Sequence, residues 1–335
     1  MRSLQTVDGY TSALTLRETQ KAIKLVKDTF ANELAAALNL ERVSAPFIVK
    51  KGSGINDDLN GVERKVEFDT KEIEGTAEIV QSLAKWKRTA LKAYGYGVDE
   101  GLYTNMNAIR RDDDCDNVHS IFVDQWDWER VISKEERNIE FLKDIVKKIV
   151  GAIDNTQKIA HKAFPQLKNE LATDVFFVTT QELEDMYPDK TPKEREDIIA
   201  KEKGVVFVMQ IGDLLRSGIK HDGRAPDYDD WKLNGDLLFW NETLRHAFEV
   251  SSMGIRVDSE SLAYQLKAAN AEDRMKYDYH KGIADGTLPL TIGGGIGQSR
   301  LSMLILEKAH IGEVQVSLWP DKMVEDCKNN GINLL

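Results

Sequence analysis

The residues best suited to chemistry gather in the segment 101–130, which is predicted to form a strand, an acidic loop and a second strand. Because side chains alternate between the two faces of a strand, Gln125, Asp127 and Glu129 share one face of the second strand. Asp124 lies on the opposite face with two tryptophans, so it ranks below Gln125 and Asp127 as a candidate. A row of one amide and two carboxylates can bind a small zwitterionic ligand. A solvated sheet face explains the pattern alone equally well.

Two arginines lie where they could bind a phosphate group. Arg110 ends the first strand of this segment, and Arg300 begins a helix after the glycine-rich segment 291–300. The planar guanidinium group matches the oxygens of a phosphate, so either arginine could hold a nucleotide. Taken alone, pairing with Asp112–Asp114 explains Arg110 as well, and Arg300 could equally face solvent.

The second half of the chain carries a dense set of carboxylates. Magnesium in nucleotide-dependent enzymes is usually bound by one or two carboxylates and by the phosphates of ATP. The segment RAPDYDDW (224–231), Asp236 and Glu249 could supply such carboxylates, although acidic loops are more often simply solvated. The turn GGGIG (293–297) could bring backbone close to a nucleotide, but the chain has no P-loop spacing.

The elements that position these residues combine helices with strands. Residues 16–39 are predicted to form an amphipathic helix with a capping box of Thr15 and Glu18, and Pro46 opens an extended segment. Further helices are predicted at 79–93, 133–163, 193–203 and from Leu301, strands at 205–212, 237–241 and 249–257, a loop at 51–61 and a turn at 291–300. The strand lengths suit an antiparallel sheet, so we predict an α+β fold. Without a linker or an internal repeat, residues 1–335 are predicted to form a single domain.

Composition and charge exclude several classes of protein. The 335 residues are 41% hydrophobic and 30% charged, with a net charge of −11. This negative charge argues against a general nucleic-acid-binding protein. No apolar run is long enough to cross a bilayer, and the N-terminus lacks the apolar core of a signal peptide. The two cysteines, Cys115 and Cys327, cannot form a disulfide framework, so we predict a cytoplasmic location.

Several longer segments match one known pattern. They are QSLAKWKR (81–88), GLYTNMNAIR (101–110), HSIFVDQWDWERV (119–131), RAPDYDDW (224–231), NGD (234–236), FEVSSMGIR (248–256) and TIGGGIGQSRL (291–301). From about residue 16 to residue 320, the chain resembles the AMP-forming aspartate–ammonia ligase family. That family is similar to the catalytic domains of aspartyl- and asparaginyl-tRNA synthetases. The resemblance therefore implies a class II synthetase-like antiparallel sheet flanked by helices.

The resemblance also implies where ATP and magnesium bind. Arg110 and Arg300 match the arginines that contact the nucleotide, and Gly295 would lie beside it. Glu249 matches a magnesium-binding glutamate, with Asp236 as its partner. Position 299 departs from the pattern, because Gln298–Ser299 replaces the usual acidic residue before the arginine. Any polar role at this position is therefore left open.

For the other substrates, the resemblance implies a second group of residues. Ser82 and Lys87 match the serine–lysine segment that holds aspartate. The remaining polar groups of aspartate would be bound by Gln125, Asp127 and Ser252. Asp57, in the loop 51–61, is the candidate that positions or deprotonates the incoming ammonium ion.

The activity implied by the resemblance is the ATP-dependent synthesis of asparagine from L-aspartate and ammonia. The β-carboxylate would attack the α-phosphorus to give β-aspartyl-AMP and pyrophosphate, and ammonia would then displace AMP. Position 2 is Arg2, whereas a glutamine-dependent enzyme would need a cysteine nucleophile there. We expect Mg²⁺, a homodimer formed through the helix 16–39, and no nucleic-acid or membrane partner. An aminoacyl-tRNA synthetase-like enzyme and a non-catalytic synthetase paralogue are the alternatives.

Overall fold

A computed structural model describes residues 4–59 and 63–335 of the chain. The helices and strands of these residues are α1 (Leu16–Leu38), β1 (Leu40–Arg42), β2 (Ile48–Lys50), β3 (Glu67–Asp69), β4 (Thr76–Ile79), α2 (Ala84–Tyr94), β5 (Gly101–Ile109), β6 (Phe122–Val131), α3 (Ile139–Ala163), β7 (Phe176–Thr179), α4 (Thr180–Met186), α5 (Pro192–Lys203), β8 (Val205–Met209), β9 (Asp229–Asn241), β10 (His246–Arg256), α6 (Ser259–Ala268), α7 (Asp278–Ala284), β11 (Thr291–Gly297), α8 (Gln298–Ile305) and α9 (Asp321–Asn329). Short 3₁₀ helices occupy Glu272–Lys276 and Ile311–Glu313. Residues 60 and 61 of the predicted loop 51–61 lie outside the described residues.

A large sheet of eight strands carries the elements named in the sequence analysis. Its strand order is β1-β5-β6-β11-β10-β9-β8-β7, and a small second sheet has the order β2-β4-β3. The edge pairs β1–β5 and β7–β8 are parallel, and the inner pairs are antiparallel. The predicted α+β class with a mostly antiparallel sheet is therefore confirmed. Within the described residues, no helix is long and apolar enough to span a membrane.

The main core lies between one face of the large sheet and the helices α1 and α3. Phe30 of α1 packs against Trp126 of β6 with 4.6 Å between ring centroids, and Trp128 is fully buried in the same core. This places the tryptophan face of β6 against the helices, as the alternation predicts. The predicted capping box of α1 is also confirmed, because the backbone N–H of Thr15 donates to the Glu18 carboxylate at 2.9 Å and the backbone N–H of Glu18 donates to the Thr15 hydroxyl.

One predicted helix begins late, and one predicted turn is wrong. The helix predicted at 79–93 begins only at Ala84, because the backbone N–H groups of Ile79 and Val80 bond to other extended segments and the Ser82 hydroxyl accepts from the Ala84 N–H. The predicted turn at 291–300 is the inner strand β11, which hydrogen-bonds to β6 and β10 on its two sides. Glycine is depleted in strands, and this depletion is what made a turn the better interpretation of the sequence.

His310 gives the fold a pH-dependent contribution to stability. Its Nδ1 accepts from the Gly312 N–H at 3.0 Å, and its ring packs edge-on against Trp319 in the buried interior. Burial lowers the pKa of His310 to about 4, and the charge of Asp116 only partly opposes this effect. Between pH 6.5 and about 4, His310 is therefore protonated in the unfolded chain but neutral in the folded chain.

Lowering the pH from 7 to 5 is expected to cost the wild-type protein roughly 2 kcal/mol through His310 alone. The variant His310→Asn keeps an acceptor for the Gly312 N–H but cannot titrate in this range. Urea unfolding of both proteins at the two pH values measures the difference. An equal loss of unfolding free energy in the wild-type and variant proteins would contradict the prediction.

Candidate active site

A cavity of about 720 Å³ lies on the sheet face opposite the main core, next to strands β6, β11 and β10. The cavity is lined by nearly all of the residues proposed from the sequence. They are Asp57, Ser82, Lys87, Arg110, Gln125, Asp127, Glu249, Ser252, Gly295 and Arg300. Asp236 is the exception, although it lies opposite Ser252 in the pairing of β9 with β10. The fold therefore brings together side chains that are up to about 240 positions apart in the sequence.

The floor of the cavity depends on the glycines of β11. A Cβ atom at Gly295 would lie 2.5 Å from Oε1 of Gln125, and one at Gly293 would lie 2.0 Å from Oε2 of Glu129. Side chains of β6 therefore lie flat across the backbone of its neighbour. Glycine is needed at these positions because there is no space for a side chain, and not because the backbone forms a turn.

Replacing Gly293 with alanine is expected to destabilise the protein by about 1–3 kcal/mol, because the new methyl group must displace a buried carboxylate and its cation. The matched control is Gly151→Ala in α3, where an added Cβ atom meets no atom within 4 Å. That change is expected to stabilise the protein by about 0.5–1 kcal/mol. Chemical denaturation measures both, and an unfolding free energy of wild-type size for Gly293→Ala would refute the steric explanation.

Lys87 and Asp127 form a buried ion pair on the cavity floor. The Lys87 Nζ donates to the Asp127 carboxylate and to the carbonyl of Gly294 at 3.0 Å, and it lies 3.9 Å from Glu129. Burial lowers the pKa of Lys87 although both carboxylates favour its charged form. The second oxygen of Asp127 is buried and has no hydrogen-bond partner in the described part of the chain. It can therefore accept a hydrogen bond from a ligand ammonium group.

Arg256 closes the floor beside this pair. Its guanidinium group donates to Glu129 at 2.8 and 3.0 Å and also to Asp229, and Thr291 donates to Glu129 at 2.7 Å. Burial favours the neutral form of Glu129, but the charges of Arg256 and Lys87 outweigh it and hold the pKa of Glu129 below its ordinary value. Glu129 therefore lies on the predicted face, but its negative charge is already balanced by Arg256 and Lys87.

Arg110 and Arg300 enter the cavity from different elements. Arg300, in the first turn of α8, donates to the backbone carbonyl of Glu249 at 3.1 Å and lies 3.5 Å from its carboxylate. Among the residues that the structure describes, Arg110 donates to the carbonyl of Gln81 alone, at 3.5 Å, and its Nε is buried without a partner. Asp112 pairs with Arg64, so the alternative explanation of Arg110 does not apply to this carboxylate. Both guanidinium groups can still bind an anion.

The acidic segment 224–231 is engaged by internal cations. Asp227 is fully buried and accepts from Arg274 and His280 at 2.8 and 3.0 Å, with Lys85 at 3.1 Å. The other two carboxylates bind arginines: Asp229 pairs with Arg256 and Asp230 with Arg137. The interpretation of this segment as a solvated loop is therefore wrong. The charges of these three carboxylates are already balanced by positive side chains of the protein.

Glu249 and Asp236 remain as possible metal ligands on the neighbouring strands β10 and β9. Asp236 accepts from Arg224 at 2.6 Å, and the same arginine donates to the Ser252 hydroxyl. Burial raises the pKa of Asp236, Arg224 opposes this shift, and the charge of Glu249 adds to it. A divalent cation would relieve this repulsion, so the two carboxylates fit Mg²⁺. Among the described residues, no group of three or more His, Cys, Asp or Glu side chains could hold a metal ion by itself.

Asp57 is buried at the edge of the cavity. One of its oxygens accepts from the Leu59 N–H at 3.0 Å, and the other has no partner within residues 4–59 and 63–335. Burial raises the pKa of Asp57, with Lys85 opposing and Asp227 reinforcing the shift. A carboxylate with a raised pKa is a better proton acceptor than one exposed to water.

The family model described as aspartate-ammonia ligase matches residues 17–331. The chain belongs to this family. An aspartate–ammonia ligase of Clostridium tetani is 61% identical over 327 residues, which cover 97% of this chain and 96% of the relative. The aspartate–ammonia ligase of Ruminiclostridium cellulolyticum is 59% identical over the full length of both chains. The predicted family and the prediction of a ligase are therefore confirmed.

Solved structures of tRNA synthetases share the fold of this aspartate–ammonia ligase family member. An asparaginyl-tRNA synthetase of Entamoeba histolytica, in complex with asparaginyl-adenylate, has a TM-score of 0.65 at 15% identity. The match covers 90% of this chain and 66% of the synthetase. The corresponding enzyme of Pyrococcus horikoshii gives a TM-score of 0.64. The predicted class II synthetase-like fold is confirmed, and at this identity the likeness concerns the fold alone. The synthetase alternative is not favoured, because the relatives of high identity are named as ligases.

Sequence reasoning missed four charged residues of this ligase family member that build or surround the cavity: Lys85, Arg224, Asp229 and Arg256. All four lie within segments that carried the family resemblance. Their individual roles gave no local signal, because each depends on a partner from a distant strand or helix. A lysine or arginine that is buried beside a candidate site needs a carboxylate partner. Burial is therefore the property that would have indicated these residues.

Proposed function

We propose that the protein makes L-asparagine from L-aspartate, ammonia and ATP through β-aspartyl-AMP, releasing AMP and pyrophosphate. The observation that carries this proposal is the shared cavity, in which Arg110 and Arg300 lie with the buried pair of Lys87 and Asp127. The arginines provide an anionic subsite, and the pair provides opposite charges for an amino acid. Asp57 adds a proton acceptor at the edge of the same cavity.

In the first half-reaction, an oxygen of the β-carboxylate attacks the α-phosphorus and pyrophosphate leaves. Lys87 holds the α-carboxylate of aspartate, and the free oxygen of Asp127 accepts from its α-ammonium group. Ser82, Gln125 and Ser252 bind the remaining polar groups. Arg110 and Arg300 stabilise the negative charge that develops on the phosphate oxygens. When bound, Mg²⁺ held by Glu249 and Asp236 neutralises phosphate charge as a Lewis acid.

In the second half-reaction, ammonia attacks the acyl carbon and AMP leaves. Ammonium carries no lone pair, so it must lose a proton before it can attack. Asp57 accepts this proton, and its raised pKa suits that role. Gly295 borders the cavity and leaves room for the Gln125 side chain to lie across β11, where an added Cβ atom would come within 2.5 Å of its Oε1.

Product analysis tests the proposal directly. The purified protein is incubated with aspartate, ATP, MgCl₂ and NH₄Cl, and we expect asparagine, AMP and pyrophosphate in equal amounts. With ¹⁸O in the β-carboxylate, one ¹⁸O atom is expected in AMP, because the bond formed to phosphorus is kept when the acyl bond breaks. Formation of ADP and phosphate would contradict the adenylate mechanism, and a requirement for tRNA would revive the synthetase alternative.

The assembly and location of the enzyme belong to the same proposal. We propose a homodimer formed through α1 and the segment that follows Pro46, where Phe47 and Ile48 expose apolar side chains. Light scattering that gives the mass of a single chain would contradict the dimer. We also propose that residues 1–335 act as one catalytic domain, in the cytoplasm and without a nucleic-acid partner. The negative net charge supports the last point.

A further inference from the structure

Asp124 has no part in the proposed reaction, although it lines the cavity beside Gln125. The residue is 7% exposed, and its carboxylate accepts four hydrogen bonds from three other parts of the chain. One oxygen accepts from the Ser299 N–H at 3.0 Å and from Gln315 Nε2 at 3.3 Å. The other accepts from the Ser299 hydroxyl at 2.8 Å and from Lys27 Nζ at 2.7 Å. Because each oxygen accepts two hydrogen bonds, the Asp124 carboxylate is held in one position.

The helix that Asp124 contacts is the one that carries Arg300. A helix leaves its first backbone N–H groups without partners, and a side chain at the N-cap position normally accepts from one of them. The N-cap of α8 is Gly297, which has no side chain and provides no such bond. Asp124, on the neighbouring strand β6, accepts from the Ser299 N–H instead. A carboxylate at this end also interacts favourably with the helix dipole.

This arrangement answers the question left open at position 299. The sequence has serine there, where the family pattern led us to expect an acidic residue, and the structure supplies the carboxylate from β6. The charge lies next to the same helical turn but comes from a different element. Lys27 of α1 balances it, so Asp124 joins α1, β6 and the first turn of α8.

We propose that Asp124 is the positioning residue for Arg300. Holding the first turn of α8 keeps the Arg300 guanidinium beside the carbonyl of Glu249, where it faces the cavity. Asp124 acts through Ser299 and does not touch ATP. The proposal rests on the proposed function, in which Arg300 binds the phosphates of ATP.

An exchange of the two side chains tests the proposal. Asp124→Ser is expected to raise the KM for ATP about 10- to 100-fold, because a small displacement of a charged group costs a factor of this size. The KM for aspartate is expected to stay within about twofold. Ser299→Asp alone places two carboxylates side by side and is expected to weaken ATP binding as well. The double variant Asp124→Ser/Ser299→Asp restores one carboxylate and one hydroxyl, and we expect it to regain most of the lost affinity.

A second cycle separates positioning from general support of the fold. In an Arg300→Ala background, Asp124→Ser is expected to have little further effect, because residues that act through one another are not additive. Equal rises in both KM values, or additive effects with Arg300→Ala, would overturn the proposal. If Asp124→Ser cannot be purified, Ser299→Ala removes only the hydroxyl bond and is expected to give a smaller rise in the KM for ATP; no rise would equally overturn it.

Calorimetric binding of a non-hydrolysable ATP analogue keeps the two proposals apart. It needs no reaction, so the loss in Asp124→Ser and its recovery in the double variant are measurable whatever the enzyme makes. A wild-type protein that forms no asparagine but shows this pattern would refute the proposed function and support the role of Asp124. Normal asparagine synthesis with unchanged analogue binding in Asp124→Ser would do the reverse.

Discussion

Replacing Arg300 with alanine is expected to lower kcat/KM for ATP by about 10²–10³-fold while leaving the unfolding free energy nearly unchanged. The guanidinium group is partly exposed, and its hydrogen bond and its ion pair with the described residues are both with Glu249. Little folding energy is therefore lost with it. Its charge would act mainly on phosphate oxygens in the transition state, where removal of a fixed donor is most costly. Steady-state kinetics with varied ATP, and urea unfolding, measure the two quantities.

Two further variants sharpen this prediction. Arg300→Lys keeps a positive charge but loses the planar fork, so we expect an intermediate loss of kcat/KM. Arg216→Ala is the control, because this arginine pairs with Asp185 on the surface away from the cavity. The Arg216→Ala variant is expected to have the wild-type kcat/KM for ATP. A normal kcat/KM for Arg300→Ala would remove this residue from the proposed nucleotide site.

Replacing Lys87 with methionine is expected to cost about 3–5 kcal/mol of unfolding free energy, the largest stability effect that we foresee. The side chains of Lys87 and Asp127 are 1% and 5% exposed, so loss of the lysine leaves a carboxylate buried without its cation. Its neighbour Glu129 keeps Arg256, which limits the damage to one unpaired charge. Thermal and urea unfolding measure the effect. Lys92→Met, at an exposed position of the same helix, is expected to leave stability unchanged.

The double variant Lys87→Met/Asp127→Leu distinguishes an unpaired charge from a loss of packing. It removes both charges, and we expect it to regain most of the stability lost in Lys87→Met. It is nevertheless expected to bind no aspartate, since both opposite charges of the subsite are gone. A double variant no more stable than Lys87→Met would show that packing around the lysine stem was the main contribution.

The parts of the fold that follow local rules could be predicted from the sequence. The helix α1 was predicted within one residue, because its apolar spacing and the Thr15–Glu18 capping box are both local signals. The two faces of β6 were predicted by alternation, since a strand has only two faces. This was sufficient to place Gln125 and Asp127 together, and the structure finds both in the cavity.

The parts that depend on distant partners could not be predicted in the same way. β11 is a strand because two neighbours pair with it, and its glycines exist because side chains of β6 cross it. Arg256 and Asp229 become an ion pair only when β10 and β9 are joined, and nothing in either segment alone indicates it. Asp124 was ranked below Gln125 and Asp127 because it lies on the tryptophan face of β6. That face is the one that contacts α8.

The glycines of β11 also restrict how this enzyme could be altered in the laboratory. Positions 293 and 295 have no room for a side chain while Glu129 and Gln125 keep their places. A randomised library at these two positions would therefore return almost exclusively glycine. Variants with a new amino-acid preference should instead be sought at positions 125, 127 and 252, where the cavity is lined by side chains. Any successful change at position 125 would in turn decide which residues position 295 could accept.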